Sequence, residues 1–444
     1  MIASRFNVTV PDFPGSGKHL FYNTVTQAQV VIDDELKAII GALPALPQKE
    51  ESRTAIAQLQ RMGFLVASKD DDTAALEKIF KNVWDDHSVI RATVLTTYSC
   101  NFGCVYCVEE GVKEPVFMDE KTAVETIAYI EGKLKEYGSK KIDVYFYGGE
   151  PLLNMPAIRT VARGLSDFAL ANDVSFTFGF NTNGSLFTPE LIAELKPLGL
   201  TWAKITIDGP KETHDRYRPF KNGKGSFDEI IGKLEAACTL MPVDVNINFD
   251  QSNVERAPEL LDYLAEIGLA SKIGKLSFTP ITATPKDRGG LRPATEMDRA
   301  MMTVETARQV IELSRLALEK GYKVDVGVQA RACGMVLRRT SFIIDPHGDL
   351  YGCGAFAGRK EFCYGNFHGE EKDRFKGLEL WRRCADCAFA PLCGDGCPFG
   401  AYLRYGDPLA LNCTKESMDY FVRESLKLSY LKKKNLIAGG ARSS

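Results

Sequence analysis

The stretch Thr97-Tyr98-Ser99-Cys100-Asn101-Phe102-Gly103-Cys104-Val105-Tyr106-Cys107 directly follows an apolar, β-branched run and carries three cysteines in the spacing C-x3-C-x2-C. A structural metal site is normally closed by four protein ligands, whereas a site that performs chemistry keeps one position open. Three thiolates on one short loop therefore indicate an iron–sulfur cluster with one exposed iron. Zinc held by the same cysteines and a distant fourth ligand is the alternative that the spacing leaves open.

Apolar, β-branched runs recur from about residue 89 and alternate with helical patterns. One such helical pattern places Ala123, Ile130 and Leu134 on a single face. Strand–helix alternation predicts an α/β fold with a parallel sheet and right-handed crossovers, and the number of units predicts a partial (β/α)6 barrel. Chemistry in such a barrel lies on the loops after the strands, which is where the three cysteines fall. The predicted strands cover residues 92–95, 142–147, 174–180, 202–207, 243–249 and 275–281.

Residues 1–88 have a different pattern and predict a separate N-terminal unit. Two strands, at 6–10 and 20–25, precede short helices at 35–43 and 53–62 and an extended stretch at 64–66. This order predicts a winged-helix-like module, and a plain packing extension of the next domain is the alternative. We expect four segments along the chain: 1–88, a barrel at 89–325, a cysteine-rich domain at 326–425 and a tail at 426–444.

The C-terminal part carries a second series of cysteines after a predicted helix at 296–320. The spacing is C-x14-G-x4-C, a gap, C-x2-C-x5-C-x3-C, a gap, and a last cysteine. Seven cysteines can complete one four-thiolate site and leave three for a second site. A small domain with so few long periodic segments needs such metal sites for stability. The series comprises Cys333, Cys353, Cys384, Cys387, Cys393, Cys397 and Cys413.

Composition narrows the class of protein. The formal net charge is −3, so no broad basic field is available for nucleic acid. No apolar stretch is long enough to cross a bilayer, and the N-terminus lacks the layout of a signal peptide. We therefore expect a cytoplasmic protein with no membrane or nucleic-acid partner. Thiols stay reduced in that compartment, so we do not expect the 12 cysteines to form a disulfide framework.

Both cysteine series, together with the turn Gly148-Gly149-Glu150-Pro151, resemble the radical S-adenosylmethionine (SAM) enzymes that carry a C-terminal SPASM domain. The resemblance covers roughly residues 89–425, and these motifs fall in the family's order. The N-terminal unit is similar in layout to the recognition domain that many peptide-maturing members carry. The resemblance implies that an exposed iron binds the methionine end of SAM. It also implies that a 5′-deoxyadenosyl radical removes hydrogen from the substrate.

The same resemblance implies roles for individual residues. Tyr106 would lie against adenine, Thr206 would contact the ribose and Arg218 the methionine carboxylate, while Glu150 would accept from the methionine ammonium. A core tyrosine, a surface ion pair and ordinary turns are the structural alternatives for these features taken singly. The full set of expected cofactor contacts is Tyr106, Gly148, Gly149, Glu150, Pro151, Asn183, Thr206, Asp208 and Arg218.

The family pattern also implies three 4Fe–4S clusters. The radical SAM cluster is assigned to Cys100, Cys104 and Cys107, the outer auxiliary cluster to Cys384, Cys387, Cys393 and Cys413, and the inner one to Cys333, Cys353 and Cys397. Relatives with a complete inner cluster have a further cysteine shortly after the first, and this sequence has none at residues 334–340. We therefore expect an open iron that binds substrate or a small ligand. Cys363 is the alternative fourth ligand, although a free buried thiol is the simpler interpretation of it.

Several reactions occur on this scaffold, so function must be inferred from the site. Sulfatase-maturing relatives have an aspartate directly after the position of Cys353, and this chain has Gly354 there. The predicted function is maturation of a ribosomal precursor peptide by a carbon–sulfur, carbon–carbon or cyclopropane bond. The leader would add as a strand to a sheet edge, and flavodoxin or ferredoxin would supply electrons. Sulfatase-type oxidation, peptide epimerisation and a non-catalytic, metal-stapled peptide-binding protein are the alternatives. No general base is identifiable.

Overall fold

The computed structural model describes residues 1–45, 47–107, 109, 115–281, 303–328, 333, 338–372, 380–394 and 396–437. An antiparallel three-stranded sheet in the order β2-β3-β4 begins the chain, and two very short strands, β1 and β5, pair beside it. Its strands and helices are β1 (Ile2–Ala3), β2 (Asn7–Val10), β3 (Lys18–Asn23), β4 (Gln29–Asp33), α1 (Asp34–Gly41), α2 (Glu50–Arg61), β5 (Leu65–Val66) and α3 (Lys69–Trp84). The sequence predicted β2, β3, α1 and α2 but missed β4 and α3.

The two faces of the N-terminal sheet are both buried, but against different partners. Phe21 and Ile32 pack on α1 and α2, whereas Leu20 faces the C-terminal part of the chain. There Leu20 lies in one apolar cluster with Leu392 and Leu426. The Thr24 hydroxyl adds a hydrogen bond of 2.7 Å to the carbonyl of residue 388. The N-terminal unit is therefore docked on the C-terminal region through a continuous core.

Six parallel strands follow and form the predicted part of the barrel. They are β6 (Val89–Thr97), β7 (Lys141–Gly148), β8 (Ser175–Thr182), β9 (Leu200–Thr206), β10 (Val243–Phe249) and β11 (Leu276–Pro280). The helices between and after them are α4 (Glu120–Tyr137), α5 (Met155–Asn172), α6 (Pro189–Leu195), α7 (Lys211–Tyr217), α8 (Phe227–Cys238), α9 (Ala257–Glu266) and α10 (Val304–Glu319). The α/β class with a mostly parallel sheet is confirmed. The first residues of the helix predicted at 296–320 lie outside the described residues.

Alternating burial along the strands separates a helix-covered face from a lumen. In β7, Ile142, Val144 and Phe146 are buried under the helices, whereas Tyr145 and Tyr147 point to the other side and are only half-buried. Successive side chains of a strand point to opposite faces, so each strand contributes one residue in two to the lumen. The lumen-facing residues are largely polar, which suits a binding site rather than a core.

Helix α4 illustrates how the local sequence determines the covering layer. The side chain of Asp119 accepts a hydrogen bond from the backbone of Thr122 and caps the first turn. Gly138 ends the helix in the left-handed conformation with φ of 66°. Between these ends, Ala123, Ile130 and the other predicted apolar positions are buried against the sheet.

The cysteine-rich region extends the same sheet. Strand β12 (Ser341–Ile344) pairs in parallel with β6, and β13 (Asp349–Tyr351) and β14 (Gly365–Asn366) follow in antiparallel order. The main sheet therefore has nine strands in the order β11-β10-β9-β8-β7-β6-β12-β13-β14. The sequence did not predict this extension, because β12 is short and lies far from its partner β6 in the chain. It brings Cys353, just after β13, to the lumen beside β6.

Helices α11 (Ala390–Cys393), α12 (Pro398–Tyr405) and α13 (Lys415–Lys433) complete the described structure. Helix α13 runs through the boundary expected between residues 425 and 426, so residues up to Lys433 are part of a helix that packs on α10 and on β2. Short 3-10 helices lie at Pro151–Asn154, Lys196–Leu198, Val254–Arg256, Gly354–Phe356, Lys360–Phe362 and Leu380–Cys384. Among the described helices, none is both long and apolar enough to cross a bilayer.

We expect Leu20→Ala to destabilise the folded protein, because Leu20 is fully buried between the N-terminal sheet and the C-terminal helices. Truncating such a leucine costs about 2–5 kcal/mol. Leu170→Ala is the matched control, since Leu170 is 88% exposed. Thermal unfolding of the anaerobically purified protein would measure both. Equal midpoints for the two variants would show that the N-terminal unit is not docked through this cluster.

Candidate active site

A cavity of about 430 Å³ opens at the carboxyl ends of the parallel strands. Cys100, Cys104 and Cys107 line it together with Gly148 and Gly149. Within the described part of the chain, no group of three or more histidine, cysteine or acidic side chains is close enough together to hold a single metal ion. The three thiols thus line one cavity without converging on one point.

The loop that carries the cysteines is held from outside by the segment after α7. The N–H of Gly103 donates to the carbonyl of Pro219 at 2.8 Å, and the N–H of Val105 donates to the carbonyl of Tyr217 at 3.0 Å. Phe102 is fully buried and packs edge-on against Phe220. These contacts fix the loop before any ligand binds.

Burial changes the chemistry of the thiols. Cys104 is 9% exposed, and the loss of water raises the pKa of its thiol to about 11, although the charge of Arg218 acts in the opposite direction. A buried thiol with this pKa becomes a thiolate only beside further positive charge. Three soft sulfur donors that need a cationic partner are the donor set that iron–sulfur clusters use. The residues therefore fit such a cluster.

The turn Gly148-Gly149 approaches the backbone of the cysteine loop very closely. A Cβ atom at residue 148 would lie 2.2 Å from the carbonyl oxygen of Thr97, and one at residue 149 would lie 2.2 Å from that of Ser99. Gly148 also has φ of 127°, which side chains rarely adopt. The sequence predicted a close backbone approach at these glycines. The approach is between two segments of the protein itself, so the turn positions the cysteine loop.

Glu150 and Pro151 lie behind the cavity wall rather than in it. Glu150 is fully buried, and its carboxylate accepts hydrogen bonds from the Thr182 hydroxyl at 2.7 Å and from the N–H groups of Asn183 at 2.7 Å and Leu152 at 3.1 Å. Burial raises the pKa of this carboxyl to about 7, although the three hydrogen bonds act in the opposite direction and lower it. In this structure the glutamate thus ties the end of β8 to the glycine turn.

Tyr106 lies at the centre of a buried hydrogen-bond network. Its hydroxyl donates to Asp208 and accepts from Arg218 at 2.6 Å and from Asn248 at 2.8 Å. Asp208 lies behind the wall, and burial raises the pKa of its carboxyl to about 6. Burial likewise raises the pKa of the Tyr106 phenol well above its ordinary value. The network holds Tyr106 and Arg218 in the wall of the cavity.

The Nε–H of Arg218 is a buried donor that has no acceptor among the described residues. Arg218 as a whole is 8% exposed. A buried charged donor without a partner is costly, so an acceptor on a bound molecule is the natural complement. Because Arg218 lines the cavity, that molecule would carry its anionic group there.

Asn183 and Thr206 line the same cavity, as the sequence predicted for cofactor contacts. Asn183 also donates to the side chain of Asn101 at 2.7 Å. The sequence missed Lys204 and Asn246, which are lumen-facing residues of β9 and β10 in the same wall. Lys204 and Asn246 lie two residues before Thr206 and Asn248 on the same strands, so the two-residue period of a strand would have placed them on the same face.

His214 is a structural residue that the sequence did not single out. Its Nδ1 accepts from the N–H of Asp208 at 3.2 Å, and its Nε2 lies 3.0 Å from the hydroxyl of Ser226. Burial lowers the pKa of this imidazole well below its usual value, so the ring is neutral. It fixes the turn that leads from Asp208 to Arg218.

The C-terminal cysteines divide into two places. Cys353 lines a second cavity of about 680 Å³. Burial raises the pKa of the Cys353 thiol to about 12, and electrostatic repulsion from Cys333 and Cys397 adds to this shift. Cys384 and Cys387 lie in the cluster beside α3, and Cys413 is exposed. The Cys363 thiol donates to the carbonyl of Gly365 at 3.0 Å.

Comparison with known proteins gives a consistent result. The radical SAM superfamily description matches residues 94–264. The mycofactocin maturase MftC of Mycolicibacterium smegmatis is 28% identical over 329 residues, which cover 68% of this chain and 76% of MftC. The solved structure of anSMEcpe with bound AdoMet and the Cp18Cys peptide superposes with a TM-score of 0.61 and 15% sequence identity. The match covers 78% of this chain and 99% of anSMEcpe. The structure of Streptococcus suis SuiB bound to the precursor peptide SuiA superposes with a TM-score of 0.54 and 13% sequence identity. The match covers 93% of this chain and 99% of SuiB.

We expect Gly149→Ala to disrupt the site, because the added methyl group would meet the backbone carbonyls of Ser99 and Tyr98. The backbone cannot move without displacing the cysteine loop, so the cost should be about 3 kcal/mol or more. Gly132→Ala is the control, since a Cβ there meets nothing within 4 Å and a helix-interior alanine stabilises by about 0.5–1 kcal/mol. Thermal unfolding and iron content measure the two variants. Wild-type iron content and stability in Gly149→Ala would contradict the contact.

Proposed function

The chain belongs to the radical SAM superfamily, and we propose that it is a maturase that removes hydrogen from a ribosomally made precursor peptide and installs a cross-link or ring. Membership of this superfamily implies SAM and one 4Fe–4S cluster. Among the proteins that it resembles, MftC is a maturase, and anSMEcpe and SuiB have structures with a bound peptide. The type of bond, the auxiliary clusters and the electron donor are our proposals.

The observation that carries the proposal is that three cysteines and Arg218, whose buried Nε–H has no acceptor among the described residues, line one cavity. Its volume of about 430 Å³ lies within the range of about 300–1,000 Å³ that small-molecule sites occupy. Cys100, Cys104 and Cys107 would hold the cluster, and Arg218 would bind the methionine carboxylate through its free Nε–H. The bound group supplies a 5′-deoxyadenosyl radical. The residues of the cavity orient SAM and exclude water from that radical.

A peptide substrate is supported by the relatives and by the second cavity. MftC is named a maturase, and SuiB was solved with a precursor peptide. The second cavity of about 680 Å³ adjoins the first and has room for a side chain with its backbone. Peptides bound there would place one residue beside the SAM site.

We assign two auxiliary 4Fe–4S clusters to the remaining cysteines. Cys333, Cys353 and Cys397 would hold the inner cluster, and one iron of this cluster would stay open. Cys363 is not assigned as its fourth ligand, because its thiol donates a hydrogen bond to the carbonyl of Gly365. The outer cluster would use Cys384, Cys387, Cys393 and Cys413. These clusters would accept the second electron of the oxidation, and flavodoxin or ferredoxin would supply the first.

Strand β4 is the edge at which we propose that the leader peptide binds. In the described part of the chain, β4 pairs with β3 alone. The N–H of Asn23 donates to the carbonyl of Ala28, so the alternation of an antiparallel pair turns the N–H of Val31 away from β3. Val31 is 39% exposed. An extended leader can therefore add as a fourth strand.

The reaction is tested by mass spectrometry. The precursor peptide from a short reading frame beside this gene is incubated anaerobically with the reconstituted enzyme, SAM and a reductant. We expect the peptide to lose two hydrogens for each cross-link or ring, because each of the two atoms that the new bond joins loses one hydrogen. One 5′-deoxyadenosine should form for each such event. An unchanged mass with deuterium gained from heavy water would instead establish epimerisation. A colourless protein without iron would contradict radical chemistry altogether.

We expect Val31→Pro to weaken binding of the leader, because proline removes the outward N–H that the added strand needs. The loss of one backbone hydrogen bond and its neighbours should lower affinity by about tenfold. Val31→Thr keeps the N–H and is the matched control. Fluorescence anisotropy of a labelled leader peptide measures both. Equal affinity for the proline variant and the threonine variant would exclude this edge.

A further inference from the structure

The two cavities meet at a junction formed by Glu109, Tyr147 and Asn181, which line both of them. On one side lie the three cysteines of the cluster loop, and on the other lie Cys353 and Gly354. A substrate atom that passes from the second cavity to the SAM site must pass this junction.

Glu109 is the single carboxylate among the described residues that line either cavity. The cationic residues of these walls are Arg218 and Lys204 in the first cavity and Arg91 and Arg338 in the second. Glu150 and Asp208 are also nearby, but they lie behind the wall, and their oxygens accept hydrogen bonds from the protein. Among the described residues, the carboxylate that lines both cavities therefore lies where they join.

Glu109 is 8% exposed, and it lines both cavities beside Tyr147 and Asn181. A carboxylate accepts hydrogen bonds and cannot donate one while it is ionised. The junction therefore favours a substrate group that brings N–H or O–H donors.

We propose that Glu109 is a catalytic residue that accepts a hydrogen bond from an N–H or O–H group of the substrate, next to the carbon that loses hydrogen. The proposal rests on the proposed peptide-maturing function. It identifies the substrate as a residue whose reacting carbon is adjacent to such a donor, for example the backbone amide. The charge of Glu109 also stabilises the positive charge that develops when the substrate radical is oxidised.

The atoms and electrons of the proposed cross-linking reaction balance. The substrate C–H bond breaks, and its hydrogen atom completes 5′-deoxyadenosine. One electron leaves the substrate for an iron–sulfur cluster of the protein. The new bond forms to a second atom of the peptide, whose proton leaves to water. Glu109 remains unchanged, so its part is to hold the reacting residue and to stabilise charge.

The segments that bound the second cavity contribute different groups to it. Gly354, which directly follows Cys353, lines this cavity and has no side chain. Glu109 lines the same cavity from the segment after the cysteine loop. Among the described lining residues, the carboxylate of this cavity is therefore supplied by Glu109 alone.

The test compares Glu109→Gln, which keeps the shape and removes the charge, with Glu109→Asp, which keeps the charge. Glu266→Gln is the control, because Glu266 is exposed on the surface. Each holoenzyme is assayed for SAM affinity by calorimetry, for affinity toward the full precursor peptide, and for the ratio of peptide product to 5′-deoxyadenosine. We expect Glu109→Gln to bind SAM and leader as the wild type does. Its product ratio should fall by about tenfold or more, and Glu109→Asp should recover part of it.

A wild-type product ratio in Glu109→Gln would overturn the inference. So would a parallel loss of SAM affinity and thermal stability, because it would mean that the glutamate supports the fold. If the wild-type enzyme cleaves SAM but never changes the peptide, the proposed function fails first, and the inference fails with it. Accumulation of a substrate radical signal in Glu109→Gln, seen by electron paramagnetic resonance, would support the charge-stabilising role directly.

Discussion

Close contact between the glycine turn and the cysteine loop is the constraint on which the site depends. The carbonyl oxygens of Thr97 and Ser99 occupy the space that side chains at residues 148 and 149 would need. The same carbonyls accept hydrogen bonds from the N–H groups of Gly149 at 3.0 Å and Glu150 at 2.9 Å. The start of the cysteine loop is therefore an extension of the sheet, and its thiols are positioned by the most rigid part of the protein.

A second consequence concerns the buried charges. Glu150, Asp208 and Arg218 are all withdrawn from water, and each would be costly without partners. Glu150 and Asp208 accept hydrogen bonds from backbone and side-chain donors, and only Arg218 retains a buried donor without an acceptor. The protein thus satisfies the polar groups that hold the walls in place. The donor left without an acceptor belongs to a residue that lines the cavity, where preorganised sites place such groups.

The regular part of the fold could be predicted from sequence because the strands and helices repeat a strong local pattern. The six parallel strands are as predicted, within a few residues at each end. Strand β12 could not be predicted, since its four residues pair with β6 about 250 residues earlier in the chain. Helix α13 was also missed, because Lys415–Lys433 has a weakly apolar face. Local pattern does not encode such distant pairing.

In the candidate site, too, some features could be predicted from the sequence and others could not. Motifs predicted which residues gather, and the structure brings Cys100, Gly148, Asn183, Thr206 and Arg218 to one cavity. They could not distinguish residues in the wall from residues behind it, because Glu150 and Asp208 match the family pattern in either position. His214 and Glu109 were missed, since one is defined by its burial and the other by where two cavities meet.

The lumen itself explains why so few residues are available for chemistry. A radical reacts with any C–H bond within reach, so the walls must hold the substrate still and keep other groups away. Tyr147 on β7 and Asn181 on the neighbouring strand β8 line both cavities, so the regular sheet sets the place of the junction. The part of the second cavity at Cys353, Gly354 and Ala355 has small side chains or none, so it offers a bound molecule little side-chain contact. In the proposed function, recognition of the peptide is therefore assigned to the β4 edge, and selection of the reacting carbon to the junction.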